Sequence, residues 1–591
     1  MGGSLQADDQ HCLQDGRLPI VLGVTGHRDL EDVELVRERL FEQITSLEKA
    51  YPFTPFVALS SLAEGADRLF ARVILDRGIP LYVPLPFAVE EYEKDFPQSV
   101  EAFRALCHQA EAVFTVPLAA SVDMQRIGRS PETNECHADR DLQYAMAGIY
   151  LAQRAHILFA IWDGKPARGI GGTAQVVNYR YFGRPQALEL PATDLQRMNN
   201  LVPSNPLDDP ETGIVYHVHV RRRHEAPLPH GVTIERKIPP SHQKFGDPLA
   251  RVDTYNKRLT QESEHSGELA QDDGATKIHS ADSSEDFFAR EYRRLSRRFS
   301  CAGRLAERHV QDVRRSFLWI FCLAGIALTA ETYFGGPGWP PVPVGWGWGF
   351  ISLVVYEISL ATIICWVWKM RRKEKNPEAV DFRALAEGLR VQGAWFRAGL
   401  PDLVSQRYLR RYSQSLGWVR YALQGACVTY RASPSPEDLT YVQNQWIDEQ
   451  RKYLRNASER REYRMSSNTR WASRFIKIAL LLGAVLILLL SLYYKYLLTK
   501  YNQLIIIAAF SLPLLTTAAG LLSGYNEFAA YEDDIREYRR NLKLFEVARD
   551  RMNNGSINEQ QELIRQLGLE ALIENANWAL IHKSHDAQIP H

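Results

Sequence analysis

Three glycine-containing turns carry the residues best suited to chemistry in this chain, and the chemistry they suit is the holding of a phosphate. The first is Gly23-Val24-Thr25-Gly26-His27-Arg28. The second is Ser60-Ser61-Leu62-Ala63-Glu64-Gly65-Ala66-Asp67-Arg68. The third is Asp163-Gly164 followed by Gly169-Ile170-Gly171-Gly172-Thr173. Each follows a short apolar run and precedes a helical pattern, so each brings backbone N–H groups together with a helix N-terminus. Aligned amides and the helix dipole favour an anion there, and Arg28 and Arg68 add positive charge. One such turn says little, because any helix needs a start. Three converging on one sheet edge point to a ligand site.

Other candidate groups carry a weaker signal. His27 sits beside the first turn and reads equally well as a ligand contact or a structural turn residue. His217 and His219 alternate with valines and share one strand face, as a metal pair would. A solvated strand face is the reading the pattern favours, so no metal is expected. Cys136-His137 reads as part of a polar loop. The seven cysteines form no CxxC pair and show no zinc-type spacing, which makes reduced structural thiols the expectation.

The elements that must position these turns alternate strand and helix. Leu18–Val24, Phe56–Leu59, Leu81–Leu85 and His156–Trp162 are short apolar runs that read as buried strands, with a further strand within Gly213–Arg222. Asp29–Ala50, Gly65–Gly78 and Asp139–Arg154 have helical periodicity. Strands separated by helices predict a doubly wound α/β domain with a parallel sheet, whose ligands gather at the carboxyl ends of the strands. The first 17 residues read as a disordered tail, 18–238 as the ligand-binding domain and 239–285 as a polar linker.

Four apolar stretches follow: Phe317–Phe334, Trp346–Trp368, Phe475–Tyr494 and Leu504–Leu522. Each approaches the ~20 residues that a helix needs to cross a bilayer. The expected architecture is therefore the α/β domain followed by an all-α transmembrane module with four spans. Its parts are a first hairpin in 286–374, a helical segment over 375–474, a second hairpin in 475–524 and terminal helices over 525–591. Arg314, Arg315, Lys369, Arg371, Arg470, Arg474, Arg536 and Arg539 flank the spans on one side, which places both termini in the cytoplasm. Met1–Arg17 has no apolar signal core. Glu357 lies mid-span and Glu331 near a span end, so both are candidates for a conduction path. Lysine plus arginine equals aspartate plus glutamate, 70 each, which leaves no global basic signal for nucleic acid.

The motifs VTGHRDL, SSLAEGADRL, VPLPFAVEEYEKDF and FAIWDGKPARGIGGTAQVV, in that order, resemble the SLOG superfamily of Rossmann-like nucleotide-binding domains over about Leu18–Tyr179. The resemblance implies a nucleotide-type ligand, ADP-ribose-like or a cyclic or linear nucleotide, with no catalytic cofactor. It implies contacts from Gly26, Arg28, Glu64, Gly65, Gly172 and Thr173, and Thr25, His27, Ser60, Ser61, Asp67, Arg68, Pro86, Asp163 and Gly171 complete the set of candidate ligand-binding residues. Enzymes of the LOG branch carry PGGxGTxxE; alignment on Gly172-Thr173 puts Val176 at the active-site glutamate, and Ile170 interrupts the double glycine. A valine cannot stabilise an oxocarbenium-like charge, so binding without turnover is expected and no catalytic residue is assigned. Glu64 or Asp163 would have to serve if the chain were instead a membrane-anchored nucleotide hydrolase or N-glycosidase.

The segments FAREYRRLSRRF, ALAEGLRVQGAWFRAGL, GWVRYAL, VQNQWIDEQRKYL and LGLEALIENANWALIHK resemble the SLATT family of membrane domains in bacterial conflict systems. That resemblance implies a homo-oligomeric pore in the bacterial inner membrane, serving antiviral defence and answering a signal made by an upstream enzyme. A nucleotide-regulated channel outside defence, and a channel or scaffold with a vestigial nucleotide domain, are the remaining alternatives.

Overall fold

The structure, a computed structural model, describes residues 16–119, 122, 127, 134–166, 170–183, 212–223, 231–240, 247–266, 287–334, 354–366, 375–409, 413–500, 502–528, 531–553 and 555–584. Seven strands form one sheet: β1 (Ile20–Gly26), β2 (Phe56–Leu59), β3 (Leu81–Leu85), β4 (Ala112–Thr115), β5 (Ile157–Trp162), β6 (Ile214–His219) and β7 (Thr233–Lys237). Their order is β4-β3-β2-β1-β5-β6-β7. All pairs are parallel except β6-β7, which is antiparallel.

Both faces of the sheet are covered, which is why the central strands are apolar at nearly every position. On one face α1 (Val33–Ala50), α2 (Ala66–Asp76) and α3 (Val100–Gln109) pack on Ile20, Leu22, Val24 and Phe159. On the other, α4 (Asn134–Arg154) and α5 (Thr173–Phe182) pack on Val21, Leu158 and Ala160. The chain runs outward from β1 to β4 and then returns to place β5 against the other side of β1. Strand order therefore reverses between β1 and β5, where a doubly wound sheet opens a crevice at its carboxyl edge. Two strands escape the sequence reading. β4 is four residues long, and β7, TIERK, is an edge strand whose polar side chains face solvent.

Further helices are α6 (Pro248–Ser266), α7 (Phe287–Phe334), α8 (Lys375–Arg397), α9 (Ser413–Ala426), α10 (Pro436–Val442), α11 (Glu449–Lys500), α12 (Asn502–Phe528), α13 (Tyr531–Met552) and α14 (Ile557–Ser584). The chain divides into two compact units. The first comprises Met1–Arg304, Asp381–Asp438 and Ile564–His591; the second comprises Leu305–Val380 and Leu439–Leu563. This division departs from the expected boundaries in three places. The stretch 239–285, read as a linker, contains α6, whose Leu249, Val252, Tyr255 and Asn256 are buried. The basic segment FAREYRRLSRRF does not merely lead into a membrane: Glu291, Arg294 and Arg298 are buried in the first unit. There Arg294 donates to Tyr82 Oη (3.0 Å) and Glu111 Oε1 (2.9 Å), and Arg298 donates to Ala426 O (2.7 Å). Much of the segment read as lying between two membrane hairpins also belongs to this unit.

His156 shows how that returning segment is held. Its Nδ1 accepts from Val21 N–H (2.9 Å), so Nε2 carries the proton and donates to Tyr421 O (2.7 Å). Nearby, Gln424 donates to Gln153 O and Ala155 O at 2.8 and 2.9 Å. Burial, aided by Arg180, lowers the His156 pKa to about 3. His156→Leu strands a buried donor and a buried acceptor, at a cost of roughly 2–5 kcal/mol. The native chain should lose stability as pH falls from 6.5 towards 3, because the unfolded chain takes up a proton that the fold refuses. Thermal melts monitored by circular dichroism across that range should show a lower Tm in the variant at pH 8 and a flatter acid limb.

In the second unit, α11 and α13 run antiparallel and are joined by ion pairs: Arg455–Glu546 (3.0 Å), Arg461–Asp534 (2.7 Å) and Glu462–Arg539 (2.7 Å). Beyond Phe475 the character of α11 changes. Leu480 and Ile487 are 69 % and 71 % exposed. The stretch Pro436–Leu489 contains a window long and apolar enough to cross a membrane, with 11 % of it buried. Among the described residues it is the one helix that meets this test, against the four spans expected. Trp319–Leu328 and Val354–Trp366 are shorter apolar stretches among the described residues. Residues 335–353 and 367–374, which include part of the second expected span, lie outside the described residues. The fourth falls in α12, a 27-residue helix containing Pro513, and the side chains of 502–510 are likewise outside. α12 lies antiparallel to α11: Asn468 donates to Asn526 Oδ1 at 2.7 Å, and Gly483 faces Leu512. Glu357 is exposed on the helix Val354–Trp366, while the Glu331 side chain lies outside the described residues.

Candidate functional site

The crevice at the carboxyl edge of β1 and β5 holds a pocket of about 780 Å³. That is within the range of small-molecule and cofactor sites. Of the residues expected to bind ligand, Thr25, Gly26, His27, Arg28, Ser61, Asp67, Pro86, Gly171, Gly172 and Thr173 line it. Ser60, Glu64, Gly65, Arg68 and Asp163 do not. Gly169 lies outside the described residues.

Each residue off the pocket wall has another task. Ser60 is fully buried; its Oγ donates to Asp67 O (3.1 Å) and accepts from Leu62 N–H (3.2 Å). The Arg68 guanidinium donates to Leu62 O (3.0 Å), Ser99 O (3.2 Å) and Ser99 Oγ (2.7 Å) and lies 4.5 Å from the centre of the Phe96 ring. It stitches the second turn to α3 instead of meeting a phosphate. Ser99 Oγ in turn donates to Glu64, which holds that carboxylate off the pocket wall. Gly65 allows two backbones to touch. Its φ is +77°, and a Cβ there would sit 2.3 Å from Arg28 O and 2.5 Å from His27 O. The first amide of α2, Ala66 N–H, donates to His27 O at 3.0 Å. The N-terminus of α2 is thus plugged by the first turn, where an open anion site was expected.

The helix start that does face the pocket is that of α5, through Gly172, Thr173 and Ala174. By helix geometry the first amides of α5 lack intrahelical acceptors. Gly171, at φ +79°, turns the chain into this helix, and its N–H donates to Gln175 Oε1 (2.8 Å).

Four cations line the pocket: Arg28, Arg140, Lys165 and Arg222. Arg140 is held by Glu91 (2.8 Å) and Asp95 (2.6 Å) with its guanidinium 4.5 Å from the centre of the Phe87 ring. Asp163 lies just behind the wall and positions two others. His27 Nε2 is 3.0 Å from its Oδ1 and Arg222 Nε is 3.2 Å from its Oδ2. Burial opposes the charge on Asp163, but the Lys165 N–H, His27 and Arg222 outweigh it and hold the carboxyl below its usual range. Asp67 is the reverse case: burial raises its pKa to about 7 against the pull of the Ala63 N–H, Arg28 and Arg68. Asp29, Asp95 and Asp141 supply further acceptors, and Tyr92, Tyr144 and Trp162 supply flat apolar wall. Such a pocket suits an anion that also carries hydroxyls and a ring, more than a bare phosphate.

Val176, the position aligned with the LOG glutamate, is on the pocket wall and buried, with its Cγ2 against Gly148. Arg140 and Arg222 are the principal residues the sequence reading missed. Arg222 ends the run that contains β6, so one more strand-end turn would have found it. Arg140 and Asp141 enter from the start of α4, far from any glycine turn, and no local pattern marks them. No protein-family model, curated protein or solved structure matches the chain.

Proposed function

We propose that this chain is a ligand-responsive membrane protein: its α/β unit binds a nucleotide-type anion in the β1/β5 crevice, and its second unit is the membrane-embedded output. The pocket carries the first half of this reading. It combines one open helix N-terminus, four cations, acceptor carboxylates and aromatic wall at the strand-order reversal, the usual ligand position of a doubly wound sheet.

The division of the chain supports the second half. The first unit is assembled from three separate segments, so both excursions into the second unit, Leu305–Val380 and Leu439–Leu563, return to it. A compact folded unit occupies one side of a bilayer. Each excursion therefore crosses an even number of times. α11 needs a returning partner, and the antiparallel α12 fits that role. Leucine and isoleucine exposed along α11 to about 70 % are costly in water and suited to lipid. By the resemblances above, the setting is a bacterial inner membrane, the assembly a homo-oligomer, the output a pore in antiviral defence, and the signal the product of another enzyme.

Titration calorimetry of the full chain in detergent micelles, with ADP-ribose and with cyclic and linear nucleotides, tests the binding half. At least one should bind, and Arg28→Ala should weaken it about 10- to 100-fold through loss of a charge-assisted contact. Arg28 makes no ion pair among the described residues, so the fold should tolerate its loss. Absence of binding by every probe, or an unchanged affinity in the variant, overturns this assignment.

One observation favours a second reading, hydrolysis or transfer at the same site. A buried carboxyl with a pKa near 7 on the pocket wall can exchange a proton at neutral pH. That reading requires nucleotide consumption by the purified chain.

A further inference from the structure

A second constellation lies on the β6-β7 edge of the sheet. His217 and His219 are two residues apart on β6 and share a face. Glu235 on the antiparallel β7 stands directly opposite His217. One ligating atom from each of the three lies within 4.8 Å of the other two. Two imidazoles from one strand and a carboxylate from its antiparallel neighbour thus converge without any loop having to close.

The state of His217 is the independent observation. The residue is 2 % exposed, stacked on Trp162 with ring centroids 4.4 Å apart, and its Nε2 lies 3.2 Å from Trp162 O. A carbonyl accepts only, so Nε2 carries the proton and Nδ1 presents a bare lone pair. That Nδ1 is buried and has no hydrogen-bond partner. A buried, unpartnered acceptor is costly, and a metal ion is the partner that a neutral imidazole takes most readily. Donation of the distal N–H to a backbone carbonyl is also the outer-shell contact that orients metal-binding histidines.

We propose that His217 Nδ1, His219 and Glu235 bind a divalent transition-metal ion of the zinc class. With ~2.0–2.1 Å bonds, neighbouring ligands of a tetrahedral ion stand ~3.4 Å apart. His219 Nε2 and Glu235 Oε2 are already 3.4 Å apart. The third ligand closes on them by rotation of exposed side chains, and water fills the fourth position on the solvent side. Lys237 Nζ, 3.5 Å from the same Glu235 oxygen, holds the place of the cation until the ion displaces it. Nitrogen and oxygen donors without a thiolate suit zinc, cobalt and nickel over copper(I), and two imidazoles disfavour magnesium and calcium. The ion would pin the edge strand β7 to β6 and hold His217 against Trp162, which lines the ligand pocket.

The test uses the full chain stripped with chelator and titrated with Zn2+ against a chromophoric competitor, with Co2+ absorption as a probe of geometry. One ion per chain with a tetrahedral Co2+ spectrum is expected. His219→Ala and Glu235→Gln change exposed side chains, and each should weaken the affinity at least tenfold while the circular dichroism spectrum stays native. His217→Ala should abolish binding, but it also empties a buried position, so the two exposed variants carry the decision. Substoichiometric binding, or equal affinity in His219→Ala and Glu235→Gln, overturns the site. These readouts do not depend on any nucleotide ligand.

Discussion

Replacing Gly65 by alanine is expected to lower stability by roughly 2–6 kcal/mol and to abolish the proposed ligand binding together with it. At φ +77° an L side chain is strained wherever it sits. Here the added carbon would also lie 2.3 and 2.5 Å from the carbonyl oxygens of Arg28 and His27. These are backbone atoms that cannot rotate away, so the first turn itself must move, carrying His27 and Arg28 off the pocket wall. Gly303→Ala is the control: a Cβ there meets nothing within 4 Å on a helix. It should gain about 0.5–1 kcal/mol by helix propensity. Chemical denaturation of the two variants, with calorimetric binding at a temperature where both are folded, separates strain from a general effect of the added methyl. If Gly65→Ala were as stable as the native chain and bound ligand equally, the contact between the first turn and α2 would not organise the site.

Asp67→Asn is expected to stabilise the chain above pH 7 by up to ~4 kcal/mol and to remove a pH dependence. Burial holds the folded pKa at about 7 against 3.8 when unfolded. Below pH 3.8 both states carry the proton, and Asp67 contributes no slope. Between there and pH 7 the unfolded chain releases its proton while the folded chain keeps it, so stability falls as pH rises. Above pH 7 the penalty is complete. An asparagine at this position keeps an acceptor for the Ala63 N–H and never pays the charge. Tm measured from pH 4 to 8.5 should therefore diverge between the variant and the native chain, by most at the alkaline end. Coincident curves would show that the carboxyl is charged in the fold. His156 contributes a slope of opposite sign below pH 6.5, and comparing variant with native chain at each pH cancels it. The same Asp67→Asn chain decides between the two readings of the pocket: intact ligand binding with no turnover in either protein belongs to a sensor, whereas turnover lost in the variant belongs to an enzyme.

Much of the α/β sheet was legible because its signal is local. Runs such as LPIVLGV and HILFAIW are apolar at successive positions because both faces are covered, and each ends in a turn that the chain must make at the strand end. β4 and β7 were not legible because a short strand and a solvated edge strand bury too little to leave a pattern. Within the site, glycines and small polar residues marked the turns correctly but not what each residue does. Arg68 has the type a phosphate site needs and Glu64 that of a hydroxyl acceptor, yet both are engaged by Ser99, a residue about 30 positions away at the start of α3.

By itself the sequence determined the alternation of strands and helices, the turns at the carboxyl edge and the apolar stretches of the second half, since these follow from residue type and period along the chain. Only the tertiary structure decided which turn residues face the pocket, that α5 and not α2 presents an open helix start, and that Arg140 and Arg222 join the site. It also decided that the segments before and between the apolar stretches fold back into the α/β unit. The physical reason is the same in each case. Periodicity records whether a side chain is buried or solvated, whereas its partner is set by contacts between residues as far apart as His156 and Tyr421, or His217 and Trp162, which no local pattern encodes.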